Sequence, residues 1–218
     1  MNTDFMSNDL WITQLIPDMR HPAVHADLHD IVKLHKRVMS LFPDGLGPQA
    51  RSKAAGLFRV EDTRTGFAIL IQSTIKPSLE HLPTTYGTAR TKSLVPLLSQ
   101  VRAGANIHYR ITANATQKLG KNTTAGRPKQ VIPLRGADAD AWWERQAEAA
   151  GLVLTSLHSS QLSDATGKRG HGRVKHARTR FDGTATVTDP QTLLERIQTG
   201  IGRGKSFGCG LLTIAPTR

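Results

Sequence analysis

His35 is the residue of this chain whose surroundings most invite chemistry. Leu28, Ile31, Val32, Val38 and Met39 recur around it at helical intervals, so its imidazole falls within an apolar stripe, while Lys33, Lys36 and Arg37 ride elsewhere on the same helix. A histidine whose pKa lies near neutrality takes up or delivers a proton at physiological pH. The same placement suits a buried histidine satisfied by a partner, and periodicity does not choose between the two. The densest charge lies further along, in Lys168, Arg169, Arg173, Lys175, Arg178 and Arg180, with His171 and His176 among them and Asp164 the one acid, near the start of the stretch. Gly167, Gly170 and Gly172 loosen this segment, so a mobile hairpin or loop can fit its cations to a phosphate backbone. A solvated loop is the plainer reading.

A glycine-rich run, Gly200-Ile201-Gly202-Arg203-Gly204-Lys205-Ser206-Phe207-Gly208-Cys209-Gly210, invites a nucleotide-binding reading and fails it. A P-loop needs a glycine five residues before Gly204, where Thr199 stands, and the run follows a helical pattern instead of joining strand to helix. What remains is a backbone able to approach a ligand closely, with Arg203 and Lys205 for charge, or a loop that needs glycine for close packing between domains. The other histidines (His21, His25, His29, His81, His108, His158, His171 and His176) show no His-Glu-x-x-His spacing, and Cys209 is the single cysteine. It allows no internal disulfide and no cysteine-based zinc site, and no Gly-x-Ser-x-Gly elbow occurs. Neither a metal nor a cofactor is expected.

The elements that must position these residues follow from their spacing. Leu10 to Ile16 alternates and stops at Pro17, which predicts a first strand; Asp27 is available to cap a helix that runs to Pro43 and carries His35. Gly56 to Glu61 and Gly66 to Gln72 form a hairpin about Asp62-Thr63-Arg64-Thr65, and Asn106 to Ala113 supplies a fourth strand. Pro77 to Val101 holds three prolines and little periodicity, yet a helix somewhere in Leu79 to Gln100 would complete a ferredoxin-like order. The theme repeats: Gln130 to Leu134, a helix over Ala137 to Ala150, Leu152 to Leu157, then Lys175 to Thr188 with a bend at Asp182-Gly183. Asp189-Pro190 starts a helix that Gly200 ends, and Leu211 to Ala215 closes the pattern. The prediction is an α+β chain of two tandem ferredoxin-like βαββαβ domains, residues 1–114 and 130–218, joined by a connector of residues 115–129.

Composition points the same way. With 218 residues, 29 Lys and Arg against 17 Asp and Glu, the chain carries a formal charge of +12, which favours a polyanionic partner and nucleic acid first. Aromatic residues are only 5%, too few for a sheet that stacks bases on rows of Phe and Tyr, so binding should lean on charge and shape. Asp4 and Asp9 stand where a secretory signal would be basic, and no apolar run approaches the roughly 18 residues needed to span a bilayer. A cytoplasmic protein with no membrane partner is expected. No helix-turn-helix pattern supports a DNA-binding regulator.

Four islands carry a resemblance. They are Leu34-His35-Lys36-Arg37 running into Leu41-Phe42-Pro43; Leu57-Phe58-Arg59-Val60-Glu61; Phe181-Asp182-Gly183 with Val187-Thr188-Asp189; and the whole of Gly200 to Pro216. On these residues the chain resembles the CasE family of type I-E CRISPR-associated endoribonucleases, from about Leu10 to the C-terminus. The resemblance implies two ferredoxin-like domains, binding of the CRISPR repeat RNA stem-loop, and metal-independent cleavage at the base of its stem. It also implies retention of the product beside the other Cascade subunits. It makes His35 the catalytic residue, Lys36, Arg37, Arg203 and Lys205 candidates for stabilising charge, and Lys168, Arg169, Arg173 and Lys175 candidates for gripping phosphates. Two departures stand out: family members often carry a tyrosine where this sequence has Val32, and Arg-x-Asn-Pro becomes Thr112-Ala113-Asn114-Ala115. A non-catalytic subunit that only holds an RNA hairpin fits the composition equally well.

Overall fold

The computed structural model describes residues 9–64, 66–124 and 126–217; Asp4 and Thr65 lie outside them. The first half runs β1 (Trp11–Pro17), α1 (Pro22–His29), α2 (Ile31–Met39), α3 (Ala50–Lys53), β2 (Leu57–Thr63), β3 (Gly66–Ser73) and β4 (Gly87–Ser93). These strands make one antiparallel sheet in the order β2-β3-β1-β4. Alternation decides its faces: Thr13, Leu15 and Pro17 of β1 are buried while Gln14 and Ile16 are exposed. Leu15, Ile69 and Ile71 meet Leu34, Val38, Phe42 and Phe58 in the core beneath α2.

The helix carrying His35 differs from expectation at its start. Asp30 is the cap, its carboxylate accepting from Val32 N at 2.9 Å and Lys33 N at 3.3 Å, and a separate helix, α1, precedes it. Asp27 lies buried in α1, where it accepts from Arg37 Nε at 2.8 Å and from the Tyr86 hydroxyl at 3.0 Å. The helix expected somewhere in Leu79 to Gln100 is short and late: residues 74–86 run through Pro77 and Pro83 without regular structure, and Gly87–Ser93 is a strand. Only a single turn, α4 (Val95–Leu98), follows β4.

The second half comprises β5 (Asn106–Ala113), β6 (Thr116–Lys118), β7 (Val131–Pro133), α5 (Ala137–Glu148), β8 (Leu152–Arg169), β9 (Gly172–Val187), α6 (Pro190–Thr199) and β10 (Leu212–Pro216). Its sheet has the order β10-β5-β9-β8. In both sheets the last strand of the unit lies beside the first, so each half keeps ferredoxin-like strand order. Asn106–Ala113 is a strand, as its pattern predicts, but it opens the second sheet and does not close the first. By sheet membership the division falls between Ser93 and Asn106, and not at residues 115–129. That expected connector instead belongs to the second half, where Thr116–Lys118 pairs with Val131–Pro133. Local alternation announces a strand with a buried face; it does not say which core receives it. Ile107, Tyr109 and Ile111 enter the core of Trp143, Phe181 and Leu193.

A buried arginine ties the halves together. Arg59 of β2, 2% exposed, pairs with Glu61 and donates across the seam to Arg110 O at 3.1 Å, Leu211 O at 3.0 Å and Thr213 Oγ1 at 3.0 Å. Glu61 takes its Nε at 2.9 Å and the second half supplies the other acceptors, so this charge is buried with its needs met. Gln72 Nε2 adds a second tie to Ile197 O at 2.7 Å.

Strands β8 and β9 form the longest ribbon. Its register shifts fall between Leu154 and Ser156 and between Leu162 and Ala165, on the strand opposite the expected bend. Gly183 is needed there for close approach, because a Cβ would lie 2.1 Å from Ser156 O.

Candidate active site

His35 sits one turn past the Asp30 cap, half-buried beside the inward-facing Leu34. Its ring stacks on Phe58 of β2 with centroids 6.5 Å apart and meets Phe207 edge-on at 6.3 Å. Phe207 is held by the glycine-rich run, where Gly204 and Gly208, both with left-handed backbone, bracket a tight turn over Lys205–Phe207. Among the described residues neither ring nitrogen of His35 has a hydrogen-bond partner. Burial, then the charges of Arg51 and Arg169, push its pKa below the ordinary histidine value. Charging the imidazole is thus disfavoured there, and its nitrogens are not committed to the fold.

It faces a cavity of about 580 Å³ lined also by Lys36, Arg51, Ser52, Lys168, Arg169 and Ser206. Four cations and no carboxylate line this space, so its field favours an anion. The ribbon reaches it by docking on α2. Asp30, besides capping the helix, accepts from Lys168 N at 3.2 Å, and a Cβ on Gly167 would lie 2.4 Å from Asp30 Oδ1. Glycine at 167 thus lets the tip approach closely enough to hang Lys168 and Arg169 over His35.

A family model described as CRISPR associated protein matches residues 10–216. The chain belongs to the CRISPR-associated protein family. It is 30% identical over 199 residues to the CRISPR system Cascade subunit CasE of Escherichia coli, across 86% of this chain and 92% of that protein. Identity is 26% over 222 residues to the CRISPR-associated endoribonuclease Cse3 of Thermus thermophilus, across 95% of this chain and 100% of that one. The structure of Thermus thermophilus Cse3 bound to an RNA representing a pre-cleavage complex matches with a TM-score of 0.80 at 24% identity. It covers 95% of this chain and 100% of that one, a likeness of fold.

In this CRISPR-associated chain the residues singled out by sequence divide into three groups. His35, Lys36, Lys168 and Arg169 meet at the cavity. Arg173 and Lys175 lie exposed on the returning strand, Arg173 opposite Lys168 and Lys175 with its Nζ 3.3 Å from Asp164. Arg37, Arg203 and Lys205 do not line the cavity. The Arg37 guanidinium pairs with Asp27 and lies 5.1 Å over the Tyr86 ring, a structural commitment. Lys205 donates to Thr199 O at 2.8 Å, and Arg203 is exposed, its backbone bridging Asn114. The basic segment is a paired β-ribbon up to Arg169 and Gly172, not an irregular loop.

Sequence reasoning passes over Arg51, Phe58 and Phe207 as site residues. Phe58 and Phe207 stand inside two of the islands, and their aromatic character beside a candidate histidine was the available signal. Arg51 sits in a four-residue helix with no periodicity to mark it. His176 joins the group from β9, stacked on Phe207 at 4.9 Å, its pKa lowered by burial and by Arg203.

Proposed function

We propose that this chain cleaves precursor CRISPR RNA at the base of the repeat stem-loop, with His35 as the proton-transfer residue, and keeps the mature guide RNA as a Cascade subunit. It is a CRISPR-associated endoribonuclease that processes repeat RNA; of its relatives, one is named Cascade subunit CasE and the other CRISPR-associated endoribonuclease Cse3. The observation that carries the assignment of the site is an imidazole with no hydrogen-bond partner among the described residues, facing a cavity whose charged lining is four cations and no carboxylate. Among the described residues no three His, Cys, Asp or Glu side chains gather as a metal site requires. An RNA substrate brings its own nucleophile. The 2′-oxygen attacks the adjacent phosphorus, its proton passes to the imidazole, and the P–O5′ bond breaks as the 5′-oxygen takes a proton from water. The cavity's cations offset the charge that builds on the phosphorane-like transition state. No described helix is long and apolar enough to cross a membrane, and the reaction is assigned to the cytoplasm, where the transcripts are made.

The test is incubation of the purified chain with an end-labelled repeat hairpin in EDTA. Cleavage is expected, leaving a 2′,3′-cyclic phosphate or its ring-opened form upstream and a 5′-hydroxyl downstream. Cleavage only after a divalent ion is restored would contradict the mechanism, and binding without cleavage would leave a hairpin-holding subunit.

The ribbon supplies affinity in this account. Neutralising Lys168, Arg169, Arg173 and Lys175 together should weaken hairpin binding and lower the slope of log affinity against log salt by up to about 3. Each lost phosphate contact accounts for roughly 0.7–0.9 of that slope. Lys175 should contribute least, because Asp164 already pairs it. Titrations across salt concentrations check this, and an unchanged slope would mark the ribbon as a solvated arm.

A further inference from the structure

The cations around His35 are not equivalent. Lys36, Lys168 and Arg169 are exposed, whereas Arg51 is half-buried, and burial pulls its pKa below the ordinary arginine value. Of the other arginines that are partly or fully buried, Arg37 is neutralised by Asp27, Arg59 by Glu61 and Arg180 by Asp182, and Arg178 donates through Nε to Ser163 O at 2.8 Å. Among the described residues Arg51 has no carboxylate within ion-pair distance, and its recorded hydrogen bond is a long one, Nη1 to Gly56 O at 3.4 Å. Its field is felt by His35 on one side and by Lys205 on the other, both of which it disfavours as cations. A partly desolvated guanidinium among like charges is costly unless an anion completes it. The cavity gives that anion room beside His35.

We propose that Arg51 is a further catalytic residue, whose guanidinium binds the non-bridging oxygens of the scissile phosphate and stabilises the charge they gain as the 2′-oxygen attacks. The proposal rests on His35 being the proton acceptor. A planar fork with parallel N–H donors matches two phosphate oxygens, and a site screened from water makes the pairing stronger as charge develops. The sequence offers Lys36, Arg37, Arg203 and Lys205 for this role by their nearness to His35 or to the glycine run. Arg37, Arg203 and Lys205 do not line the cavity, and Lys36 is exposed.

The experiment measures single-turnover cleavage of the repeat hairpin in EDTA by wild type, Arg51→Met and Arg51→Lys. Binding is measured on the same hairpin carrying a 2′-deoxy nucleotide at the cut site. Arg51→Met should cleave about 100-fold or more slowly, the scale for losing one donor to a developing oxyanion, with affinity within a few-fold of wild type. Arg51→Lys keeps the charge and loses the fork, so it should recover part of the rate. The lower limb of the pH–rate profile should also move upward in Arg51→Met, because a repulsive charge beside His35 has gone. Lys36, Lys168, Arg169 and Lys205 and, stacked on Phe207, His176 remain around that histidine in every variant, so the shift reports Arg51. Cleavage by Arg51→Met within about three-fold of wild type overturns the role of Arg51 alone. A rate loss matched by an equal affinity loss, with the profile unmoved, does the same. Wild-type cleavage that requires added divalent ion overturns the reading of His35 and the role of Arg51 together.

Discussion

His35→Ala should bind the repeat hairpin within a few-fold of wild type and cleave it at least about 100-fold more slowly, the usual scale for removing an acid–base group. The variant is expected to fold. Alanine is the best helix former, the Asp30 cap is untouched, and the lost ring contacts are edges and faces of Phe58 and Phe207, not hydrogen bonds. Affinity should persist because the cations of the ribbon and of α2 are unchanged. Wild type should also show a pH signature. As the base, His35 works in its neutral form, so the rate rises as pH climbs through its pKa. Burial, Arg51 and Arg169 all lower that pKa, so the midpoint should lie below the ordinary histidine value of about 6.5. Single-turnover kinetics across pH, with binding measured in parallel, check both points. Normal cleavage by a folded His35→Ala would remove this residue from the mechanism.

Much of the fold is legible where local chemistry alone fixes an element. Asp189-Pro190 and Gly200 bound α6 as their capping preferences require, and Gly66 opens β3 after a short turn. Legibility fails where a distant partner decides. Asp27 and Asp30 are both good caps by composition; Arg37 and Tyr86 claim Asp27 for the interior, and Asp30 is left to start α2. Asn106–Ala113 alternates like a closing strand of the first unit, and only its match to the core of Trp143 and Phe181 sends it to the second sheet.

The site divides by the same logic. His35 stands out because an ionisable group interrupts an apolar helical stripe, and the ribbon stands out by charge. Arg37 looks equivalent to Lys36 in sequence, yet one step along a helix turns a side chain by about 100°, enough to carry it from the cavity to Asp27. Arg51 has no pattern of its own. It lines the cavity beside His35 because α3 leads directly into β2, whose Phe58 packs under α2. The glycine run acts through geometry more than through its charges: its turn sets Phe207 against His35, while Lys205 is bonded to the end of α6.

The central claim is that the RNA's own 2′-hydroxyl is the nucleophile and that His35 takes its proton. A single 2′-deoxy substitution at the cleavage site removes that nucleophile and leaves every phosphate and the A-form stem in place. The deciding measurement compares, in EDTA, single-turnover cleavage and binding of the all-ribo repeat hairpin with those of the hairpin deoxy at that one position. Loss of detectable cleavage with affinity retained within a few-fold is the predicted result. Efficient cutting of the deoxy hairpin, with or without added metal, would mean that water attacks the phosphorus and would contradict the mechanism even with the RNA target correctly assigned.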